Sequence, residues 1–261
     1  MSEPAHSDVH IEVRDLTMAF GAAVIQRDLT FNINRGDIFV IMGGSGCGKS
    51  TLLKHMLGLI PPASGDILFS GKSFTQASAA EREAMRRGWG ITYQSGGLFS
   101  AMTLAENVTL PLQLYTQFTP AEIEEIVAYK LALVGLAGYQ AFYPSEISGG
   151  MQKRAALARA IALEPDILFF DEPSAGLDPI SSRLLDELIQ QLQDSMGATV
   201  VMVTHELPSI YAIATNSVYL DNVSRTMIAY GNPADLRDHS EQPVVRQFLT
   251  RSAAAPQEDT A

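Results

Sequence analysis

Residues 43–50 read Gly-Gly-Ser-Gly-Cys-Gly-Lys-Ser, and this stretch constrains the fold more than any other part of the chain. An apolar segment, residues 38–42, precedes it, and a helix-forming segment begins at Ser50. Glycines at this density let successive backbone N–H groups point inward, while the following helix directs its positive end to the same place. The pattern G-x-x-x-x-G-K-[ST] between a strand and a helix is typical of a phosphate-binding loop. Lys49 would supply a mobile positive charge for the outer phosphates, and Ser50 a hydroxyl for Mg²⁺.

A second apolar strand is predicted at residues 167–170, and it ends in two carboxylates, Asp171 and Glu172. Open α/β sheets bind ligands at the carboxyl ends of their parallel strands, so both side chains would reach such an edge. We expect Asp171 to hold Mg²⁺ by way of water, and Glu172 to orient or deprotonate an attacking water. The alternative is that the two carboxylates only start a helix before Pro173. The phosphate-binding motif in the same chain favours the site.

Ser148, Gly149 and Gly150 come directly before a strong helix-forming segment, residues 151–160. A helix that opens on glycines offers free N–H groups and a positive dipole end, so this is a second candidate phosphate site. Taken alone, the same three residues indicate an ordinary helix cap. Two phosphate-attracting helix starts in one chain are unusual.

Strand and helix patterns alternate along the chain, which predicts a mainly parallel sheet with both faces covered. The opening differs, because its apolar–polar alternation and turns indicate antiparallel strands. Residues 98–163 are helical in character and are interpreted as an insertion, with Thr119 and Pro120 starting one helix. We therefore predict an α/β fold with a mainly parallel core sheet, an N-terminal antiparallel β subdomain and an inserted helical subdomain. A nucleotide-binding domain would span residues 9–235, and residues 236–261 would form a C-terminal tail.

Charge and composition exclude several classes of protein. Lysine and arginine number 18 against 29 aspartate and glutamate, a net charge of −11, whereas a protein that wraps nucleic acid should be basic. One cysteine, Cys47, excludes an internal disulfide and suits a reducing compartment. The first ten residues show no secretory signal, and the apolar runs are too short to span a membrane. We expect that another subunit takes this chain to any membrane on which it acts.

Several features follow one another in a fixed order, namely residues 43–50, Gln94 after a predicted strand, residues 147–151, Asp171 with Glu172, residues 174–178, and His205 after a further strand. This order resembles the nucleotide-binding subunit of ABC transporters across nearly the whole chain. The resemblance implies a P-loop NTPase fold of the ABC ATPase type. It also implies that Phe20, where the family more often has tyrosine, stacks on adenine. Gln94 would approach Mg²⁺ and the attacking water, and His205 would contact the γ-phosphate; the alternative for His205 is a helix-capping role.

The signature of that family is usually Leu-Ser-Gly-Gly-Gln, and this chain has Ile147 and Met151 at the two ends. The backbone N–H groups and Ser148 are retained, so the resemblance still implies phosphate contact, while any polar contact of the glutamine is in question. In the family, two subunits associate head to tail, and the signature of one closes over ATP held by the other. The resemblance thus implies a homodimeric, Mg²⁺-dependent ATPase that works with integral membrane permease subunits.

Residues 93–103 lie where the family docks the coupling helix of the membrane subunit. Their Ser-Gly-Gly-Leu-Phe version is similar to the ATPases of MCE-type lipid transporters, the maintenance-of-lipid-asymmetry (Mla) group. Residues 107–112, 147–151 and 245–249 fit the same group. This implies transport of phospholipid or a related lipid between inner and outer membranes, an MCE-type lipid-binding subunit in the complex, and a peripheral position on the cytoplasmic face of the bacterial inner membrane. In that group the C-terminal tail reaches the neighbouring ATPase; a locally docked amphipathic turn is the alternative.

Other functions remain open at this stage. A small-solute importer or exporter would carry the same core motifs. The intact Lys49, Asp171, Glu172 and His205 speak against a non-catalytic regulatory nucleotide sensor. ABC ATPases of translation or DNA repair carry a second cassette or a long coiled coil, which 261 residues do not accommodate. Cys47 lies close to a helix N-terminus, which predicts a lowered thiol pKa and alkylation that blocks ATPase activity unless ATP protects it.

The candidate catalytic residues are Lys49, Gln94, Glu172 and His205. The candidate Mg²⁺ ligands are Ser50, Gln94 and Asp171. The candidate nucleotide-binding residues are Phe20, Gly43, Gly44, Ser45, Gly46, Cys47, Gly48, Lys49, Ser50, Thr51, Ser148, Gly149, Gly150 and Asp178.

Overall fold

The computed structural model describes residues 8–251. The strands are β1 (Val9–Phe20), β2 (Ala23–Asn34), β3 (Ile38–Gly43), β4 (Ser64–Phe69), β5 (Lys72–Ser73), β6 (Trp89–Thr92), β7 (Ile167–Asp171), β8 (Thr199–Val203), β9 (Asn216–Asp221) and β10 (Thr226–Gly231). The helices are α1 (Lys49–Met56), α2 (Ala79–Arg86), α3 (Leu104–Tyr115), α4 (Pro120–Leu133), α5 (Gly149–Ala160), α6 (Pro179–Met196), α7 (Leu207–Ile213), α8 (Pro233–His239) and α9 (Pro243–Thr250), with a 3₁₀ turn at Pro144–Glu146.

The first sheet is antiparallel and has the order β2-β1-β4-β5. β1 and β2 form a long hairpin that turns at Gly21, whose φ of +59° is open to glycine without strain. Side chains such as Ile11 and Val13 are fully buried at alternate positions of β1, as period-2 alternation predicts. The predicted N-terminal antiparallel subdomain is therefore confirmed.

The second sheet has the order β10-β9-β3-β8-β7-β6, and its pairs from β9 to β6 are parallel. Only β10 at one edge runs antiparallel to its neighbour. All six residues of β3 are buried, as expected of a strand whose two faces are both covered. The mainly parallel core sheet is confirmed, and its carboxyl edge lies where β3, β7 and β8 end.

The core sheet separates two hydrophobic cores. Along β3, Val40 and Met42 pack among α3 to α7, while Phe39 and Ile41 pack with the antiparallel sheet and α1. β7 and β8 alternate in the same way. On the antiparallel side, aromatic rings join the two sheets, with Trp89 4.6 Å from Phe69 between centroids. These strands therefore hold both cores at once.

The helices α3, α4 and α5 lie between β6 and β7, inside the range predicted for the helical insertion. α4 begins where the sequence indicated, because Thr119 caps it and Pro120 occupies its first position. The Glu122 side chain in turn accepts a hydrogen bond from the Thr119 N–H at 2.7 Å, which completes a capping box. α3 begins with the same device at Thr103 and Glu106.

The expected boundary after residue 235 stays a prediction. α8 runs from Pro233 to His239, so the expected boundary after residue 235 falls inside a helix. In α9, Val245 and Leu249 are buried in the same core as α7, which docks this apolar piece on its own chain. Residues 252–261 lie outside the described part. None of the helices between residues 8 and 251 combines the length and the apolar character that a bilayer span requires.

Candidate functional site

The glycine-rich loop joins the end of β3 to the start of α1. Lys49 folds back over the loop, where its Nζ donates to the carbonyl oxygens of Gly43 at 2.9 Å and Gly44 at 3.0 Å. Gly48 has a φ of +100°, and a Cβ there would lie 2.8 Å from the Cγ2 of Ile25. The loop is thus packed closely against β2, and only glycine fits at position 48.

Ser50 and Asp171 meet at the carboxyl edge of the core sheet. They are 121 residues apart in sequence, and the Ser50 Oγ donates to the Asp171 Oδ1 at 2.9 Å. The parallel pairing β3-β8-β7 places the ends of these strands side by side, which is why a helix start and a strand end converge. The structure therefore brings together two of the three predicted Mg²⁺ ligands.

Glu172 is held in an unusual backbone conformation, with a φ of +52°. Its N–H donates to the Val203 carbonyl at 2.9 Å, so β8 fixes the position. Its Oε1 lies 2.8 Å from Nδ1 of His205, while Oε2 is buried and has no hydrogen-bond partner among the described residues. A non-glycine residue in this region costs about 1–3 kcal/mol, and such strain clusters at functional sites. The arrangement leaves one carboxylate oxygen free as an acceptor.

Lys49, Ser50, Glu172 and His205 line one open cleft of about 550 Å³, whereas Asp171 is bonded to Ser50 but is not itself a lining residue. The lining residues are Ile25, Gly43, Gly44, Ser45, Gly46, Gly48, Lys49, Ser50, Thr51, Gln94, Glu172, His205 and Phe248. Every candidate catalytic residue is among them. Sequence reasoning did not include Ile25 or Phe248 among the site residues. Phe248 was noted only as part of the tail segment 245–249, and Ile25 is revealed by its contact with Gly48. Phe20 is not a lining residue, and its ring lies 53% exposed at the tip of the β1–β2 hairpin.

Ser148 caps α5, and its Oγ accepts from the Met151 N–H at 3.3 Å. Ser148 and Gly150 line a different groove, between α5 and α6, which includes Ser181 and Leu184. The two predicted phosphate sites of one chain therefore do not share a cleft.

Asp178 acts as the N-cap of α6. Its Oδ1 accepts from the N–H groups of Ile180 and Ser181, both at 3.0 Å, and its Oδ2 accepts from the Ser181 hydroxyl at 2.6 Å. The hydroxyl and these N–H groups hold the pKa of Asp178 below its ordinary value. Any contact of Asp178 with nucleotide remains a prediction.

The prediction for Cys47 is wrong in its electrostatics. The Cys47 side chain is 2% exposed, and burial raises the pKa of its thiol although Lys49 lies close enough to oppose the shift. Proximity to a helix N-terminus lowers a thiol pKa only where the thiolate is not desolvated. Cys47 packs inward on Gly43, so it supports the loop from beneath.

Asn107 is fully buried and holds the segment that follows Gln94. Its Oδ1 accepts from the Phe99 N–H at 2.8 Å, and its Nδ2 donates to the carbonyls of Phe99, Met102 and Thr103 at 2.9 to 3.2 Å. This one amide satisfies four backbone groups, a role that no local sequence pattern indicated.

Beside this segment lies an apolar groove of about 450 Å³ with arginines at its rim. Its lining includes Tyr93, Phe99, Leu114 and Tyr115, all of which are at least 40% exposed, and Arg87 stacks on Tyr115 at 5.5 Å. Contiguous exposed apolar surface of this kind marks a site of contact with another molecule.

Residues 26–175 match the family model described as ABC transporter. The chain belongs to the ABC transporter family. It is 40% identical to the "Intermembrane phospholipid transport system ATP-binding protein MlaF" of Escherichia coli K12, over 94% of this chain and 90% of that protein. It is also 40% identical to the "Probable ribonucleotide transport ATP-binding protein mkl" of Mycobacterium tuberculosis H37Rv, over 95% of this chain and 68% of that protein.

Solved structures agree with the fold. The dimeric structure of MJ0796, a bacterial ABC transporter cassette, superposes with a TM-score of 0.77 at 27% identity, over 85% of this chain and 98% of that one. Another dimeric structure of the same cassette holds ADP and Pi and gives a TM-score of 0.75. The predicted family and fold are confirmed: this chain is an ABC-type ATPase, the ATP-binding subunit of a transporter.

Proposed function

We propose that two copies of this chain close head to tail on two ATP molecules, so that the signature of each completes the site of the other. The observation that carries this is the separation of the two phosphate sites, because Ser148 and Gly150 line one groove and Lys49 another. A second copy supplies the missing N–H groups without any refolding. The dimeric state of the MJ0796 cassette supports the same arrangement.

Within each site, Lys49 exchanges its bonds to the Gly43 and Gly44 carbonyls for bonds to the outer phosphates. Positioning and charge neutralisation supply most of the rate of phosphoryl transfer. Glu172 provides the acceptor for the attacking water through Oε2, which has no hydrogen-bond partner in the described part of the chain but is buried, so the side chain must rotate to meet the water. An ionised carboxylate only accepts, so Nδ1 of His205 carries the proton in that bond. Phosphate oxygens also only accept, so Nε2 would contact the γ-phosphate as a donor, with the imidazole carrying a proton on both nitrogens.

Mg²⁺ fits the oxygen groups that meet here. The Ser50 hydroxyl and the Asp171 carboxylate are hard ligands that already touch, and Gln94 lines the same cleft. Among residues 8–251, no three His, Cys, Asp or Glu side chains gather into an all-protein metal site. This suits Mg²⁺, which is bound by few protein ligands together with phosphate oxygens. When bound, the ion would neutralise charge on the phosphates, and Ser50, Gln94 and Asp171 would hold it.

Replacement of Glu172 by glutamine tests the dimer. Glu172→Gln keeps the shape and the contact with His205 but removes the charged acceptor, so ATP still binds while hydrolysis nearly stops. The full-length variant should accumulate a closed dimer with ATP in size-exclusion chromatography with light scattering. Glu124→Gln, on the exposed surface of α4, is the matched control and should behave as the unmodified chain. A Glu172→Gln chain that stays monomeric at saturating ATP would contradict the proposal, and normal turnover would remove Glu172 from its role.

The apolar groove beside Phe99 is proposed as the docking site of the permease. It is bounded by the segment from Gln94 to Phe99, which reaches the phosphate cleft at one end and the groove at the other. Movement of a docked permease segment would thus reach Gln94 directly. In this proposal the chain lies peripherally, on the cytoplasmic face of the bacterial inner membrane.

Phospholipid, moved between inner and outer membranes, is the substrate we propose. The similarity to MlaF extends over 90% of that protein, whereas mkl has about a third of its length outside the match. In this proposal an MCE-type lipid-binding subunit belongs to the same complex. The mkl likeness supports one rival, transport of a small solute such as a ribonucleotide.

A reconstituted complex of this chain with its permease distinguishes the two substrates. Fluorescent phospholipid should move between donor and acceptor vesicles only with ATP, and Glu172→Gln should abolish the movement. Uptake of radiolabelled ribonucleotide without any lipid movement would replace the lipid proposal by its rival and leave the ATPase assignment unaffected.

A further inference from the structure

Lys153 joins two segments that the proposed function assigns to different ATP molecules. It lies early in α5, the helix that Ser148 caps and that carries the signature. Its Nζ donates to the backbone carbonyl of Gln94, which lies on the phosphate cleft of the same chain. No motif of the sequence analysis included Lys153, and the hydrolysis chemistry does not use it.

The segment after Gln94 lies along α5. A Cβ added to Gly96 would be 3.7 Å from the Ala156 Cβ, which shows how closely the backbone approaches the helix. Farther on, Arg159 donates to the Gly97 carbonyl at 2.8 Å. Two cations of one helix therefore hold this segment, and Lys153 holds the end that enters the cleft.

The Lys153 side chain that bonds the Gln94 carbonyl has apolar neighbours and a nearby carboxylate. The side chain lines a small, mainly apolar cavity together with Phe170, Leu185 and Ile189, while its bond to the Gln94 carbonyl lies at an exposed position. Burial lowers the pKa of Lys153, and the charge of Glu172 opposes that shift.

We propose that Lys153 is a positioning residue that fixes Gln94 to the signature helix, so that closure of this helix on one ATP sets the position of Gln94 at the other. The inference rests on the proposed head-to-tail dimer, because only there do Ser148 and Gln94 of one chain face different nucleotides. It gives each chain a direct connection between the two sites, and that connection produces cooperative hydrolysis.

Steady-state phosphate release by the full-length chain, measured against ATP concentration, tests the role. Lys153→Met keeps the apolar stem and removes the donor, and it should lower kcat about tenfold, as expected from the loss of a charged hydrogen bond. The Hill coefficient should fall towards one, while the Kd of a fluorescent ATP analogue stays within about twofold. Lys153→Arg should restore the cooperativity, and Lys72→Met, on an exposed strand of the antiparallel sheet, is the matched control.

A double-mutant cycle with Gln94→Ala separates positioning of Gln94 from a direct effect on Glu172. Lys153→Met should cause no further loss of kcat in the Gln94→Ala background. An equal loss in both backgrounds would overturn the inference, because the effect would then come from the charge near Glu172. Unchanged kcat and Hill coefficient in Lys153→Met would also overturn it.

Thermal denaturation of each variant checks folding, and Lys153→Gln serves in place of Lys153→Met if the latter unfolds. Failure of the Glu172→Gln dimer test would refute the proposed function itself. A normal ATP-dependent dimer combined with an inert Lys153→Met would refute only the role of Lys153.

Discussion

Asp186 offers a prediction whose magnitude follows from its surroundings. It lies on α6, 4% exposed, facing α7. Burial raises the pKa of Asp186 from 3.8 to about 6, and the charges of Glu187 and Glu206 add to this. The Ser209 hydroxyl of α7 opposes the shift, but burial outweighs it. At 1.36 kcal/mol per pH unit, the shift corresponds to about 3 kcal/mol.

Proton linkage determines how the shifted pKa of Asp186 changes the free energy of unfolding with pH. The folded chain binds a proton at Asp186 more tightly than the unfolded chain does. Protonation of Asp186 therefore makes its full contribution to the free energy of unfolding below pH 3.8, and this contribution is lost as the pH rises through about 6. At neutral pH the protein therefore carries a buried charge. Asp186→Asn removes that charge and should raise the free energy of unfolding at pH 7.5 by up to about 3 kcal/mol.

Urea denaturation at several pH values measures this directly. The advantage of Asp186→Asn should shrink as the pH falls below about 6 and disappear near pH 4. Asp194→Asn, an exposed position on the same helix, is the matched control and should change the free energy of unfolding by less than about 0.5 kcal/mol. A variant less stable than the unmodified chain at pH 7.5, or a difference that does not vary with pH, would refute the reasoning.

Three further predictions concern residues outside the hydrolysis chemistry. Burial lowers the pKa of His10 from 6.5 to about 4, so the unfolded chain takes up a proton at a higher pH than the folded chain does. The free energy of unfolding should therefore fall by about 3 kcal/mol as the pH drops from 6.5 to 4. His10→Gln should remove this loss in the same urea series. Asn107→Ala removes four side-chain hydrogen bonds and leaves the Phe99 N–H and the Met102 carbonyl without their partner, so it should cost about 3 kcal/mol in urea denaturation. Permease-stimulated hydrolysis should fall more than basal hydrolysis, and equal falls would contradict a role in docking. Cys47 should react with iodoacetamide far more slowly in the folded chain than in urea, and equal rates measured by mass spectrometry would contradict its burial.

The phosphate loop and the strand of Asp171 could be predicted because each is a local pattern. Glycine spacing determines the curl of the loop, and the apolar run of four residues before Asp171 predicts a buried strand. Their convergence followed from one topological rule, that parallel strands end at the same edge. Ser50 and Asp171 are in contact because the loop and the strand that carry them end at this same edge of the sheet.

Other parts of the site depend on packing between distant elements, and sequence patterns do not encode such packing. The bond from Lys153 to Gln94 exists because α5 lies along the segment that follows β6. The thiol pKa of Cys47 is raised because Gly43 and its neighbours cover the side chain. Similarly, α8 continues through residue 235, since its own capping residue, Asn232, sets where it starts.

The core sheet has a mechanical consequence. Because β3, β7 and β8 contribute alternate side chains to the cores on both faces, neither core can lose its packing without loosening the strands on which the other depends. The antiparallel and helical subdomains should therefore melt in one calorimetric transition, despite being separate in shape. Proteolytic cleavage in the helical region, outside the glycine-rich loop, should still abolish nucleotide binding. The loop follows β3 directly, and β3 would no longer be held rigidly by the core on that face.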